Sequence, residues 1–276
     1  MSCPKCQEGF ELPGEPLGTI EKDFNNAYYS PAPSRETPSK EAILFFTDGF
    51  GLPLKNCKIM ADNFAKRLNC DVWIPDYFDG KPLVPASNLR APDHAGAKMS
   101  IMDWVKFVLA TIPHIPAFIR SRPSVADMRV LALIDLLKEK KKYEKLGATG
   151  YCYGGSTSVR FSTTDYIDTA VISHPGPFSI DLVEKIRVPT SWACAEVDIF
   201  WSHDKRMKAE AILSARKAKD GGASMEYEFI DYKGTAHGFA ARPNLKRPEI
   251  KQAHEEAFEQ AVKWFQKTLL VHETSQ

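Results

Sequence analysis

Apolar residues in this chain fall into short continuous runs separated by stretches of helical period. The run AILFF, residues 42–46, leaves no position to turn toward solvent, as expected of a parallel strand covered on both faces. In the following LKNCKIMADNFAKRLN, Cys57, Met60, Ala61, Phe64 and Leu68 recur at helical spacing, and DVWIP (71–75) reads as the next strand. A mainly helical region is expected from about Lys98 to Ile119, carrying Trp104, Phe107, Val108 and Phe118. RPSVADMRVLALIDLLKEKKKYEK is a further helix, with Ser124 expected as its N-cap and a basic last turn.

A strand ending at Cys152 comes next. Beyond it, DYIDTAVISH, VPTSWACAE and MEYEFIDY read as strands, and IDLVEKI, KRMKAEAILSARKAK and PEIKQAHEEAFEQAVKWFQKTLL as helices. Strands separated by helices imply βαβ units, hence an α/β fold with a mostly parallel sheet and helices on both faces. In residues 1–40, PGEP, SPAPS and TPS interrupt any long element, so an N-terminal arm with one or two short strands is expected there. Residues 41–276 are then one α/β domain.

Composition narrows the function. Lys plus Arg number 36 against 35 for Asp plus Glu, a formal net charge of +1, which gives no bulk attraction for nucleic acid or an anionic membrane. A small-molecule partner is expected, with the chain a monomer or homodimer. The N-terminal stretch lacks the basic and apolar regions of a secretion signal, and no apolar run reaches the ~18 residues that span a bilayer, so a cytoplasmic location is expected. The six cysteines are then free thiols. Cys3 and Cys6 form a C-x-x-C pair with no second pair to complete a zinc site, so neither a metal nor a cofactor is expected.

The candidate chemistry centres on GYCYGG. Gly150-Tyr151-Cys152-Tyr153-Gly154 has the form of a nucleophile elbow with cysteine at the reactive position, placed where a strand gives way to a helix. The N-terminal amides of that helix favour a thiolate. A cysteine nucleophile needs a base and an acid to orient it, and in such folds they follow in the order nucleophile, acid, histidine. Asp198 lies just after one strand and His237, in KGTAHGF, just after the next. Glu196 and Asp204 are alternatives to Asp198, and His174, in SHPG at the end of a strand, is the competitor of His237.

With GYCYGG around Cys152, EVDIF with Asp198, AHGF with His237 and PDYFDGKP near the second sheet strand, the chain resembles the dienelactone hydrolase family over roughly residues 40 to 270. That is the cysteine branch of the α/β-hydrolase fold. The resemblance implies more of the site. Asp48, in TDGFG, matches an acidic position that controls the thiol proton, and the amides of Gly49 and Tyr153 match an oxyanion hole. Arg242, five positions after His237, resembles an arginine that binds a substrate carboxylate, with the spacing one residue off that of the bacterial lactonases. Lys81 and Arg90 are further cationic candidates.

The expected function is hydrolysis of a lactone or small carboxylic ester through a Cys152-Asp198-His237 triad and a thioester acyl-enzyme. A thioesterase or carboxylesterase acting on a larger acyl substrate, with residues 98–120 as its cap, is one alternative. A non-catalytic binding protein of the same fold is another.

Overall fold

The computed structural model describes residues 10–33, 38–84, 92–97, 100–102, 105, 108–109, 112–219 and 225–270. Its centre is an eight-stranded sheet in the order β1-β2-β4-β3-β5-β6-β7-β8. The strands are β1 (Thr19–Glu21), β2 (Ala27–Ser30), β3 (Glu41–Phe46), β4 (Asp71–Ile74), β5 (Lys145–Tyr151), β6 (Thr169–Ser173), β7 (Thr190–Val197) and β8 (Tyr227–Ala236). From β4 to β8 every neighbouring pair is parallel, whereas β1 and β2 add antiparallel strands beside β4.

Successive side chains on a strand point to opposite faces, and the apolar runs feed two cores in strict alternation. Ile43, Phe45, Val72, Ile74, Val171, Ala193 and Ala195 enter one core, while Leu44, Phe46, Trp73, Ile172, Trp192 and Cys194 enter the other. The first core is closed by helix α1 (Lys55–Leu68), whose Cys57, Met60, Ala61, Phe64 and Leu68 form the face its spacing predicts, and by the C-terminal helix (Pro248–Thr268). The second is closed by helices at Pro123–Lys140, Tyr153–Phe161 and His203–Lys219. In chain order the helices are α1, α2 (Ile115–Arg120), α3 (Pro123–Lys140), α4 (Tyr153–Phe161), α5 (Asp181–Glu184), α6 (His203–Lys219) and α7 (Pro248–Thr268).

Two expectations are adjusted. Ser124 does not cap α3: the helix begins one residue earlier, at Pro123, whose fixed φ and missing N–H suit the first helical position, and Arg122 is the cap. Of the helix expected at 98–119, the described residues show helical backbone at 101–102, 105 and 108–109, a 3-10 turn at Ile112–His114 and α2, with the rest outside the described residues. No described helix is long and apolar enough to cross a membrane.

The N-terminal segment is tied to the sheet by buried polar contacts. The Asp71 carboxylate accepts hydrogen bonds from the Ala32 amide and from the hydroxyls of Tyr29 and Tyr143 at 2.6–3.0 Å. A second tie is Asn56 on α1. Its side-chain amide donates to the carbonyls of Phe10 (2.8 Å) and Ala241 (3.0 Å), and its oxygen accepts from the Leu12 amide (3.0 Å).

Candidate active site

β5 ends at Tyr151 and α4 begins at Tyr153, so Cys152 alone makes the turn between them. Its φ of 53° and ψ of −112° are values that L side chains rarely adopt, and the surrounding backbone holds them. The Cys152 amide donates to the Ser173 carbonyl at 3.2 Å, and its carbonyl accepts from the amides of Gly176 (2.7 Å) and Ser156 (3.1 Å). The flanking glycines are required by contact: a Cβ on Gly150 would overlap the Gly154 carbonyl, and one on Gly154 would overlap the carbonyl of Phe46. The Gly154 amide also donates to Thr47 at 2.9 Å, which ties the elbow to the end of β3.

Cys152 is half-buried, whereas Cys57, Cys70 and Cys194 are buried free thiols. Burial pushes the thiols of Cys57 and Cys70 far up and that of Cys194 to about 12, so these three stay protonated and inert near neutrality. Cys3 and Cys6 lie outside the described residues. Among the described residues no three His, Cys, Asp or Glu side chains converge as metal ligands.

Asp198 and His237 meet as their order along the chain predicts. β7 and β8 pair in parallel, with a register shift between Ala195 and Val197, and the two loops at their C-terminal ends converge. His237 Nδ1 lies 2.8 Å from Asp198 Oδ2, and Asp198 Oδ1 accepts from the amides of Phe200 (2.8 Å) and Trp201 (3.0 Å). Burial opposes the Asp198 charge, but the His237 bond and these two amides together lower its pKa. Glu196 instead accepts from the Gly234 amide and is exposed, so it does not compete for His237.

His237 Nε2, the nitrogen not facing Asp198, is buried, and the Cys152 side chain acts on this ring both electrostatically and as a hydrogen-bonding neighbour. Burial alone would lower the pKa of this ring. The Cys152 side chain and the Asp198 bond overcome that and raise it to about 10. The competitor His174 is fully buried, neither of its ring nitrogens has a hydrogen-bond partner, and no carboxylate touches it. Desolvation, reinforced by His237, holds its pKa well below the usual imidazole value. It is a neutral ring, not a base with an orienting acid.

Asp48 and Arg242, proposed from sequence as separate elements, are brought together. Arg242 Nε donates to Asp48 Oδ2 at 2.7 Å, with both side chains nearly buried, and the guanidinium lies 4.6 Å from the centre of the Phe50 ring. The other Asp48 oxygen accepts from the Phe50 amide at 3.0 Å, so neither is bonded to Cys152. Among the described residues the amides of Gly49 and Tyr153 have no acceptor, an arrangement suited to donating to a bound oxygen. Lys81 is exposed, and Arg90 lies outside the described residues. Phe50 and Phe200 had no sequence signal as site residues; each is found only by what its loop packs against.

An elbow cysteine, an imidazole held by a buried carboxylate and two free amides, at the C-terminal edge of a parallel sheet, define a hydrolase of the α/β-hydrolase fold. A sequence model of the dienelactone hydrolase family matches residues 27–269, and the chain belongs to that family. It is 31% identical over 266 residues to hydrolase pyvD of Aspergillus violaceofuscus, covering 96% of each chain. It is 25% identical over 271 residues to the human carboxymethylenebutenolidase homolog, again covering 96% of each. Among solved structures, a dienelactone hydrolase-like promiscuous phosphotriesterase from metagenomic libraries superposes with a TM-score of 0.59 at 16% identity, covering 88% of this chain and 92% of the other. The protein is an enzyme, a dienelactone hydrolase-type ester or lactone hydrolase.

Proposed function

We propose that the protein hydrolyses a lactone or small carboxylic ester by acyl transfer to Cys152. The observation that carries this is the 2.8 Å contact of His237 with the buried Asp198 carboxylate, beside a cysteine whose backbone is held at φ 53°. The thiolate attacks the carbonyl carbon, and the resulting oxyanion takes hydrogen bonds from the Gly49 and Tyr153 amides; such a donor is typically worth ~3 kcal/mol of barrier. Collapse breaks the C–O bond, and His237 gives its proton to the leaving alkoxide, leaving a thioester on Cys152. In a lactone that alkoxide stays tethered to the acyl group. His237, held in one orientation by Asp198, then takes a proton from water, which attacks the thioester, releases the carboxylic acid and restores the thiol.

Cysteine suits such substrates. A lactone or activated ester has a good leaving group, so a polarizable thiolate attacks without the strong base assistance an alkoxide nucleophile requires.

The exposed apolar side chains of Ile101, Val108, Leu109, Ile115 and Ile119 favour a second reading, a larger acyl substrate received against them. A panel of dienelactone, simple aryl esters and long-chain acyl thioesters separates the two. Turnover of the small esters, abolished by iodoacetamide on Cys152, supports the first reading; turnover confined to long acyl chains supports the second. Activity that survives complete alkylation of Cys152 sinks both.

A further inference from the structure

Two rings pack against His237 nearly at right angles. Phe200, half-buried, lies 5.1 Å away between centroids at 80°, and His174, with no exposure at all, lies 5.1 Å away at 71°. His174 in turn contacts Phe239 at 5.7 Å and Tyr151 at 6.0 Å, so it is wedged between the end of β5, the elbow's own strand, and the loop of His237. Its backbone, at φ 34°, reverses the chain after β6. The Ser173 carbonyl, at the end of β6, takes the Cys152 amide as the ladder with β5 ends, and the bend at His174 then brings the Gly176 amide onto the Cys152 carbonyl.

Burying an imidazole with neither ring nitrogen paired among the described residues costs stability, while its positive φ is one that histidine and asparagine adopt more readily than bulkier side chains. We propose that His174 is a positioning residue for the Cys152 and His237 pair: its turn clamps the strained backbone of Cys152, and its ring is the interior wall against which the His237 ring is held. The proposal rests on reading those two residues as nucleophile and base. The titratable and charged groups acting on His174 are His237, Asp198 and Arg242, and desolvation keeps it neutral among them. It therefore adds shape without adding a positive charge that would compete with the imidazolium of His237.

Two substitutions separate the parts of this role. His174→Asn tolerates the positive φ but removes the ring, and His174→Phe keeps a ring of similar size without nitrogens. With p-nitrophenyl acetate as substrate, the Asn variant is expected to lose about 10- to 100-fold in kcat with KM within about 3-fold, the size of effect that a misplaced catalytic group produces. Its Cys152 alkylation by iodoacetamide is expected to slow at pH 7 and to shift to higher pH, because a less well-held His237 supports the thiolate less. The Phe variant, strained at this positive φ, is expected to melt at lower temperature but, per folded molecule, to return within about 3-fold of wild type on both readouts. The proposal is overturned by an Asn variant with unchanged kcat and alkylation profile. It is equally overturned if Phe and Asn lose the same amount, or if activity falls only with the folded fraction while the alkylation profile stays put. Alkylation needs no substrate, so it decides the role of His174 even if the wild-type enzyme hydrolyses no ester, a result that would sink the functional reading separately.

Discussion

Arg242 and Asp48, 194 positions apart in the chain, share a hydrogen bond of 2.7 Å in a nearly buried setting. Removing one partner leaves the other charge without compensation, a change that costs about 3–5 kcal/mol when the pair is buried. Asp48→Ala is therefore expected to lower the melting temperature by roughly 10 °C, with the double variant Asp48→Leu/Arg242→Met recovering most of the loss. Calorimetry of the wild type, Asp48→Leu, Arg242→Met and the double variant checks the coupling; strictly additive losses would show that the two side chains do not depend on each other.

The remaining donors of Arg242 leave it able to receive a substrate carboxylate, the role its resemblance to the family arginine implies. Arg242→Ala, assayed at a temperature where it is folded, is expected to lose about 10- to 150-fold in kcat/KM on an anionic lactone, the value of a hydrogen bond between charged groups. On a neutral aryl ester the loss is expected to be much smaller. Equal losses on both substrates would restrict Arg242 to its contact with Asp48.

If Cys152 carries the acyl group, quenching the reaction early should yield protein heavier by one acyl unit on that residue, released by hydroxylamine. His237→Ala is expected to slow acylation and deacylation by about 10² to 10⁴, the usual contribution of a positioned acid or base. Cys152→Ala should show no adduct and no turnover. Intact-mass spectrometry at short reaction times makes the measurement.

The tightly coupled Cys152 and His237 pair gives stability a pH dependence of definite sign. Burial alone would lower the His237 pKa, but the Cys152 side chain and the Asp198 bond raise it to about 10, above an unfolded value of about 6.5. The native state thus binds this proton more tightly than the unfolded chain, and the stabilisation is complete below about pH 6.5 and lost as pH rises toward 10. The difference in melting temperature between wild type and His237→Gln should shrink across that window. In a Cys152→Ser background it should shrink at lower pH, because the strongest raising influence is gone. Asp198 acts in the opposite sense: its lowered pKa stabilises above about pH 3.9 and the benefit disappears as pH falls through its folded value. A difference that is flat from pH 6 to 10 would contradict the His237 argument.

What the chain discloses before folding depends on distance along it. Phe45 and Trp73 announce buried strands because their neighbours leave no polar face, and the Cys152 elbow is visible because Gly150 and Gly154 sit where any side chain would strike backbone. Asp198 is legible from its place after β7 in the order nucleophile, acid, histidine, but what sets it apart from its neighbours Glu196 and Asp204, the register shift at the end of β7 and the amides of Phe200 and Trp201, is not. Nor was the joining of Asp48 to Arg242, since no local period links residues from opposite ends of the domain. The Ser124 cap failed because a proline one residue earlier is the stronger signal. His174 was legible as a histidine at a strand end, but whether it titrates is a matter of what surrounds it, and that only packing reveals.

The Asn56 amide holds Phe10 and Leu12 on one side and Ala241, the residue just before Arg242, on the other. An attachment made upstream of Phe10, such as a purification tag or a covalent link to a solid support, is therefore not a passive handle. A pull on that end acts on Asn56, which also holds the carbonyl beside Arg242, as well as on Lys55 through Glu11 and Gly14. Immobilised enzyme held this way is expected to differ from free enzyme first in how it discriminates substrates by charge, and only later in how fast it turns them over.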